Sequence, residues 1–143
     1  MDNSKTPINI YIDLSKAFDT IDFNILLKKL EYYGVKGISL KLFQSYLTNR
    51  KQYVKFGTHE SKHIITATGV PQGSILGPLL FSIYINDLVL ASEKFNYIMY
   101  ADDTTLYFNL EDFNQNCLAA EITNELDKIN TWLKINKLSI NVD

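Results

Sequence analysis

Residues 97–108 read Tyr97-Ile98-Met99-Tyr100-Ala101-Asp102-Asp103-Thr104-Thr105-Leu106-Tyr107-Phe108, and the fold turns on how this stretch is read. Two apolar, aromatic-rich runs flank a pair of carboxylates. Such runs favour strands, so the stretch predicts a β-hairpin over about 95–108 with both acids at or beside its turn. Adjacent carboxylates repel and resist joint ionisation unless a cation lies between them. Their hard oxygen donors suit an ion such as Mg²⁺. Asp-Asp is also an ordinary turn pair, and alone the hairpin carries no more than that.

Upstream, Asn9-Ile10-Tyr11-Ile12-Asp13 is a second strand that ends on an acid. Ile8, Ile10 and Ile12 alternate onto one face, which leaves Asn9, Tyr11 and Asp13 on the other. In the same sheet as the hairpin, Asp13 would supply the third arm of a two-metal site.

Between these segments, Asp22 is a good helix N-cap, and Ile21 and Leu26 are spaced as a hydrophobic staple. Ile25, Leu26, Leu30 and Tyr33 keep helical spacing, and Gly34 ends the run. A second amphipathic helix is predicted over about 39–47, carrying Leu42, Phe43, Tyr46 and Leu47 inward. Residues 52–56 and 63–67 read as a strand pair around Gly57-Thr58-His59-Glu60, with His59 and His63 on the surface. Gly69-Val70-Pro71-Gln72-Gly73-Ser74 is a loop, and Pro78 near the start of the next segment favours a helix to about Leu90. After the hairpin comes a helix over about 116–133 with a stripe of Leu118, Ile122, Leu126, Ile129 and Leu133. Last is a strand in which Leu138, Ile140 and Val142 alternate. This order predicts an α+β fold, a ferredoxin-like βαββαβ core with an α-helical and hairpin insert after its first strand. Asp13 then approaches Asp102 and Asp103.

The bulk numbers set bounds. At 143 residues, 46% apolar and 13% aromatic, the chain suits a globular domain with a real core and excludes disorder. A single cysteine, Cys117, excludes an internal disulfide and a cysteine zinc site, and fits a reducing compartment. Residues 1–5 lack a signal-peptide pattern. The longest apolar run, 75–91, is broken by Pro78, Ser82, Asn86 and Asp87, so no membrane span is expected and the predicted location is intracellular, cytoplasm or nucleus. The net charge of −2 is unevenly spread: residues 1–62 hold ten Lys/Arg against six Asp/Glu, and residues 63–143 hold four against ten. A basic first part suits a polyanion and an acidic second part suits metal, although solvated helix faces give the same asymmetry.

With these residues placed, the chain resembles a reverse transcriptase palm. Three stretches match in order: Tyr11-Ile12-Asp13-Leu14-Ser15-Lys16-Ala17-Phe18-Asp19, then Gly69 through Phe81, then Tyr100-Ala101-Asp102-Asp103. The wording is most similar to non-LTR retrotransposons of the LINE type, with group II intron proteins a more distant match. The resemblance implies an RNA-directed DNA polymerase that transfers nucleotides from dNTP to a DNA primer on an RNA template. Asp13, Asp102 and Asp103 would serve as catalytic residues holding two Mg²⁺ ions, with Mn²⁺ as a substitute. It implies that Phe18 forms an aromatic gate against the ribose 2′-hydroxyl. Gln72 and Gly73 would touch nucleotide and template, and Tyr100, Ala101 and Lys16 would contact substrate; Lys16 and Arg50 would be phosphate neighbours, with a solvated face an equal reading of both.

The resemblance covers the palm, so residues 1–143 are expected to be a palm fragment truncated at both ends, with fingers and thumb largely missing and little activity in isolation. The competing expectations are a catalytically inactive remnant that at most binds nucleic acid, a palm polymerase copying RNA into RNA, and a plain structural α+β domain. Oligomeric state is left open.

Overall fold

The computed structural model describes residues 7–114 and 116–141. In chain order the elements are β1 (Pro7–Ile12), α1 (Phe23–Tyr32), α2 (Gly37–Leu47), β2 (Lys51–Gln52), β3 (Lys55–Phe56), β4 (His59–Glu60), β5 (Ile64–Ile65), α3 (Leu76–Ile85), β6 (Asn96–Tyr100), β7 (Asp103–Asn109) and α4 (Leu118–Ile135). A 3₁₀ turn, Asn86–Leu90, follows α3, and another, Leu110–Asp112, follows β7. The chain forms two compact units. One comprises the segment up to Ala17 together with Ile85 onward, and the other is Phe18–Tyr84.

The first unit is built on a three-stranded antiparallel sheet of order β1-β7-β6. β1 runs against β7 from Pro7↔Asn109 to Ile12↔Thr104, and β6 pairs with β7 from Asn96↔Tyr107 to Tyr100↔Asp103. The alternation is as the sequence predicts: Ile12, Thr104, Leu106 and Phe108 are buried, while Tyr11 and Tyr100 face solvent. Phe95, Phe108 and Phe113 cluster with ring centroids 5.0–6.0 Å apart, and the α4 residues Ile129 and Leu133 are buried with them in the apolar core. Past α4, the predicted final strand is reduced to a single antiparallel bridge, Leu14↔Ile140, flanked by Ser15 N–H donating to Ser139 O and Asn141 N–H donating to Asp13 O, both at 2.9 Å. Val142, like residues 1–5, lies outside the described residues.

In the second unit, α1 starts as predicted. The Asp22 carboxylate accepts from the backbone N–H of Asn24 and Ile25 at 2.9 and 3.0 Å, and the staple residues Ile21 and Leu26 are fully buried. Tyr33 is a correction: it lies past the last helical residue and is 44% exposed. Leu42 is another. α2 buries only Leu47, and Leu42 is 67% exposed, on the same face as Ile38 four residues earlier. The strand pair is also shorter and stepped. β2 pairs with β5, while β3 pairs with β4 across a two-residue Gly57-Thr58 turn. Between the ladders, Ser61 holds Val54 by its N–H and its hydroxyl. His59 and His63 are exposed, His63 against the Tyr53 ring.

Candidate active site

The hairpin and the first strand deliver three acids to one end of one sheet. Asp13 and Asp103 follow directly on the last ladder pair, Ile12↔Thr104, of two neighbouring strands, and Asp102 sits in the two-residue turn before β7. Asp13 and Asp103 are exposed and Asp102 is half-buried. The turn is strained: Ala101 has φ +52°, a left-handed conformation that a residue with a Cβ seldom adopts. Tyr100 is 81% exposed beside it. Lys16, exposed and also left-handed at φ +48°, lies three residues past Asp13.

Asp13 has a partner that the sequence reading missed. Asn141 Nδ2 donates to Asp13 Oδ2 at 2.9 Å while the Asn141 backbone N–H donates to Asp13 O at the same distance, so residue 141 grips both ends of the aspartate. A signal for it existed: the alternation of Leu138 and Ile140 sends Asn141 to the face opposite the core, which is the face Asp13 takes on β1. The donor set, three carboxylates on a solvent-facing sheet end, has the oxygen chemistry of a hard divalent cation. Among the described residues, no three His, Cys, Asp or Glu side chains are grouped to hold a metal ion.

The second unit holds the other motif residues. Phe18, half-buried, packs on Phe81 with ring centroids 4.8 Å apart. It lines an open pocket of about 310 Å³ together with Pro71, Gln72, Gly73, Gly77 and Pro78. Phe18, Gln72 and Gly73, some 54 residues apart in sequence, are thus brought to one pocket. The 18–22 and 68–70 segments are laced together. Gly69 N–H donates to Ile21 O at 2.8 Å, Val70 N–H to Phe18 O at 2.9 Å, and Thr68 Oγ1 to Asp19 O at 2.9 Å. Gln72 Nε2 donates to Asp19 Oδ1 at 3.0 Å, which orients the glutamine through an acid that sequence reasoning did not single out.

No helix among the described residues is long and apolar enough to cross a membrane. The sequence profile of the reverse transcriptase (RNA-dependent DNA polymerase) family matches residues 1–143. The chain is 30% identical to the probable RNA-directed DNA polymerase from transposon BS of Drosophila melanogaster, over 92% of this chain and 15% of that protein. It is 28% identical to the RNA-directed DNA polymerase from mobile element jockey of the same organism, over 100% of this chain and 16% of that one. In structure it is similar to telomerase from Candida albicans, solved in complex with a fragment of telomeric RNA, with a TM-score of 0.67, 18% sequence identity, and coverage of 96% of this chain and 26% of that one. The likeness shows the fold, a mixed α/β polymerase palm, and the chain spans less than a fifth of the length of the two mobile-element polymerases. It belongs to the reverse transcriptase (RNA-dependent DNA polymerase) family, with relatives among the non-LTR retrotransposons.

Proposed function

We propose that residues 1–143 are the palm segment of an RNA-directed DNA polymerase, in which Asp13, Asp102 and Asp103 are the catalytic carboxylates. The observation that carries this reading is the register: Asp13 comes directly after β1, β7 begins on Asp103 beside it, and Asp102 lies in the turn between β6 and β7 next to the strained Ala101. Strain of order 1–3 kcal/mol at one residue is characteristically retained at functional turns. The order β1-β7-β6, with Ile140 bridging antiparallel to Leu14 just beyond β1, supports the ferredoxin-like arrangement.

The three acids would hold two Mg²⁺ ions, or Mn²⁺ in their place. Bound there, such ions supply activation of the primer 3′-hydroxyl and neutralise charge on the triphosphate. Asn141 restrains the Asp13 carboxylate through one of its two oxygens. Phe18, backed by Phe81 and lining the pocket, excludes a 2′-hydroxyl by clash, so dNTP is preferred over rNTP. Gln72, oriented by Asp19, and Gly73 meet the incoming nucleotide and the RNA template with its DNA primer, and Lys16, Tyr100 and Ala101 contact substrate. The setting is intracellular.

The test is a Mn²⁺ and Mg²⁺ titration read by thermal unfolding, alongside extension of a DNA primer on an RNA template. At a hundredfold excess over Kd the metal should add about 2.7 kcal/mol of stability. Asp13→Asn and Asp102→Asn should each remove that gain and any extension. A metal-linked gain that survives in both variants refutes the assignment.

A further inference from the structure

We propose that a second cleft in the 18–84 unit, centred on Arg50, binds one backbone phosphate of the nucleic-acid strand; the inference rests on the nucleic-acid partner proposed above but on none of its catalytic residues. The cleft, open and of about 630 Å³, is lined by Asp19, Arg50, Lys51, Gln52 and Gln72 together with residues 66–71. Arg50 Nη2 donates to Gly69 O at 3.2 Å, which ties the guanidinium to the 66–71 segment. Its other terminal nitrogen, Nη1, is buried and has no hydrogen-bond partner among the described residues. A buried donor attached to a cation and left unmatched is costly; Nη1 is closed to solvent as it stands, so an anion in the cleft removes that cost by drawing the guanidinium outward onto its oxygens.

Charge selects the anion. Arg50 and Lys51 offer two positive charges and Asp19 one negative, while Gln52 adds neutral hydrogen-bonding groups. The balance of +1 matches the single charge of a phosphodiester, whereas a triphosphate would bring several negative charges against Asp19. An arginine fork is also the side chain whose geometry fits two phosphate oxygens at once. No base edge is required for this contact, so it adds affinity without sequence preference.

The experiment is binding of the chain to an RNA template annealed to a DNA primer, by fluorescence anisotropy across a salt series, for the natural chain, Arg50→Gln, Arg50→Lys and Lys51→Gln. Arg50→Gln should weaken binding roughly tenfold and reduce the slope of log Kd against log salt by about 1, equally for unrelated sequences. Arg50→Lys should restore the slope. Lys51 is exposed, so Lys51→Gln provides a second reading of the same cleft should Arg50→Gln fail to fold. Unchanged slopes in folded Arg50→Gln or in Lys51→Gln overturn the inference and assign Arg50 to support of the Gly69 loop alone. Loss of dNTP affinity with duplex affinity intact likewise overturns it, in favour of a mononucleotide. If the natural chain binds no duplex, the nucleic-acid reading itself fails, which the salt slopes of the variants cannot imitate.

Discussion

Replacing Gly69 by alanine should be far more damaging than the same change at Gly73, although both glycines sit in the same loop with similar backbone angles. Gly69 has φ +81° and Gly73 φ +76°. Forcing an alanine into the left-handed region costs about 1–2 kcal/mol at either site. Space separates them. A Cβ on Gly69 would lie 2.8 Å from both Cα and O of Asp19, whereas a Cβ on Gly73 meets nothing within 4 Å. Ordinary contact begins near 3.4 Å, so the Asp19 backbone must retreat by roughly 0.6 Å. It cannot do so freely, because Gly69–Ile21, Val70–Phe18 and Thr68–Asp19 hydrogen bonds of 2.8–2.9 Å span the same contact.

Stretching two of these bonds at about 1 kcal/mol each brings the cost of Gly69→Ala to about 3–4 kcal/mol. Against a total of about 5–15 kcal/mol for a domain, that is a large fraction. By thermal unfolding followed by circular dichroism, Gly69→Ala should lower Tm by roughly 10 °C and Gly73→Ala by only about 3–5 °C. Equal shifts for the two variants would refute the claim that close approach, and not φ alone, demands glycine at 69.

Two further outcomes follow from single contacts. Asn141→Leu deletes the 2.9 Å amide bond to Asp13 at an exposed site, so it should leave Tm within about 2 °C yet weaken Mn²⁺-linked stabilisation several-fold; unchanged metal affinity would show that Asn141 does not orient the carboxylate. Glu125 is buried, and its pKa reflects opposed influences: burial pushes it up, but hydrogen bonds from Lys128 Nζ at 2.6 Å and Ser92 Oγ at 2.7 Å, with the charges of Lys128 and Lys94, outweigh this and hold it below the usual glutamate value. A folded pKa below the unfolded one means that the stabilisation is complete above about pH 4.3 and is lost as pH falls through the lower folded value. Glu125→Gln should therefore flatten that part of the acid-unfolding profile, and an unaltered profile would place the acid sensitivity elsewhere.

What the sequence discloses and what it conceals divide by range. Ile21, Asp22 and Leu26 define the start of α1 because cap and staple are satisfied within six residues, and the alternation around Asp102-Asp103 defines a hairpin because its turn is local. Tertiary cover is different. The Ile38–Leu42 face of α2 has ordinary amphipathic spacing, but spacing cannot say whether anything packs on it. Glu125 errs in the opposite direction: it lies three residues after Ile122 and four before Ile129, on the face of the α4 stripe, and only its charge argues against burial. Lys128, one turn later, and Ser92, 33 residues away, remove that objection. Asn141 is the extreme case, 128 residues from Asp13. Its face follows from the alternation of 138 and 140, but its partner follows only if the last segment bridges to the residues that directly follow β1. The period-2 pattern thus says which way a side chain points, strand order says what it meets, and only the first of these is written locally in the chain.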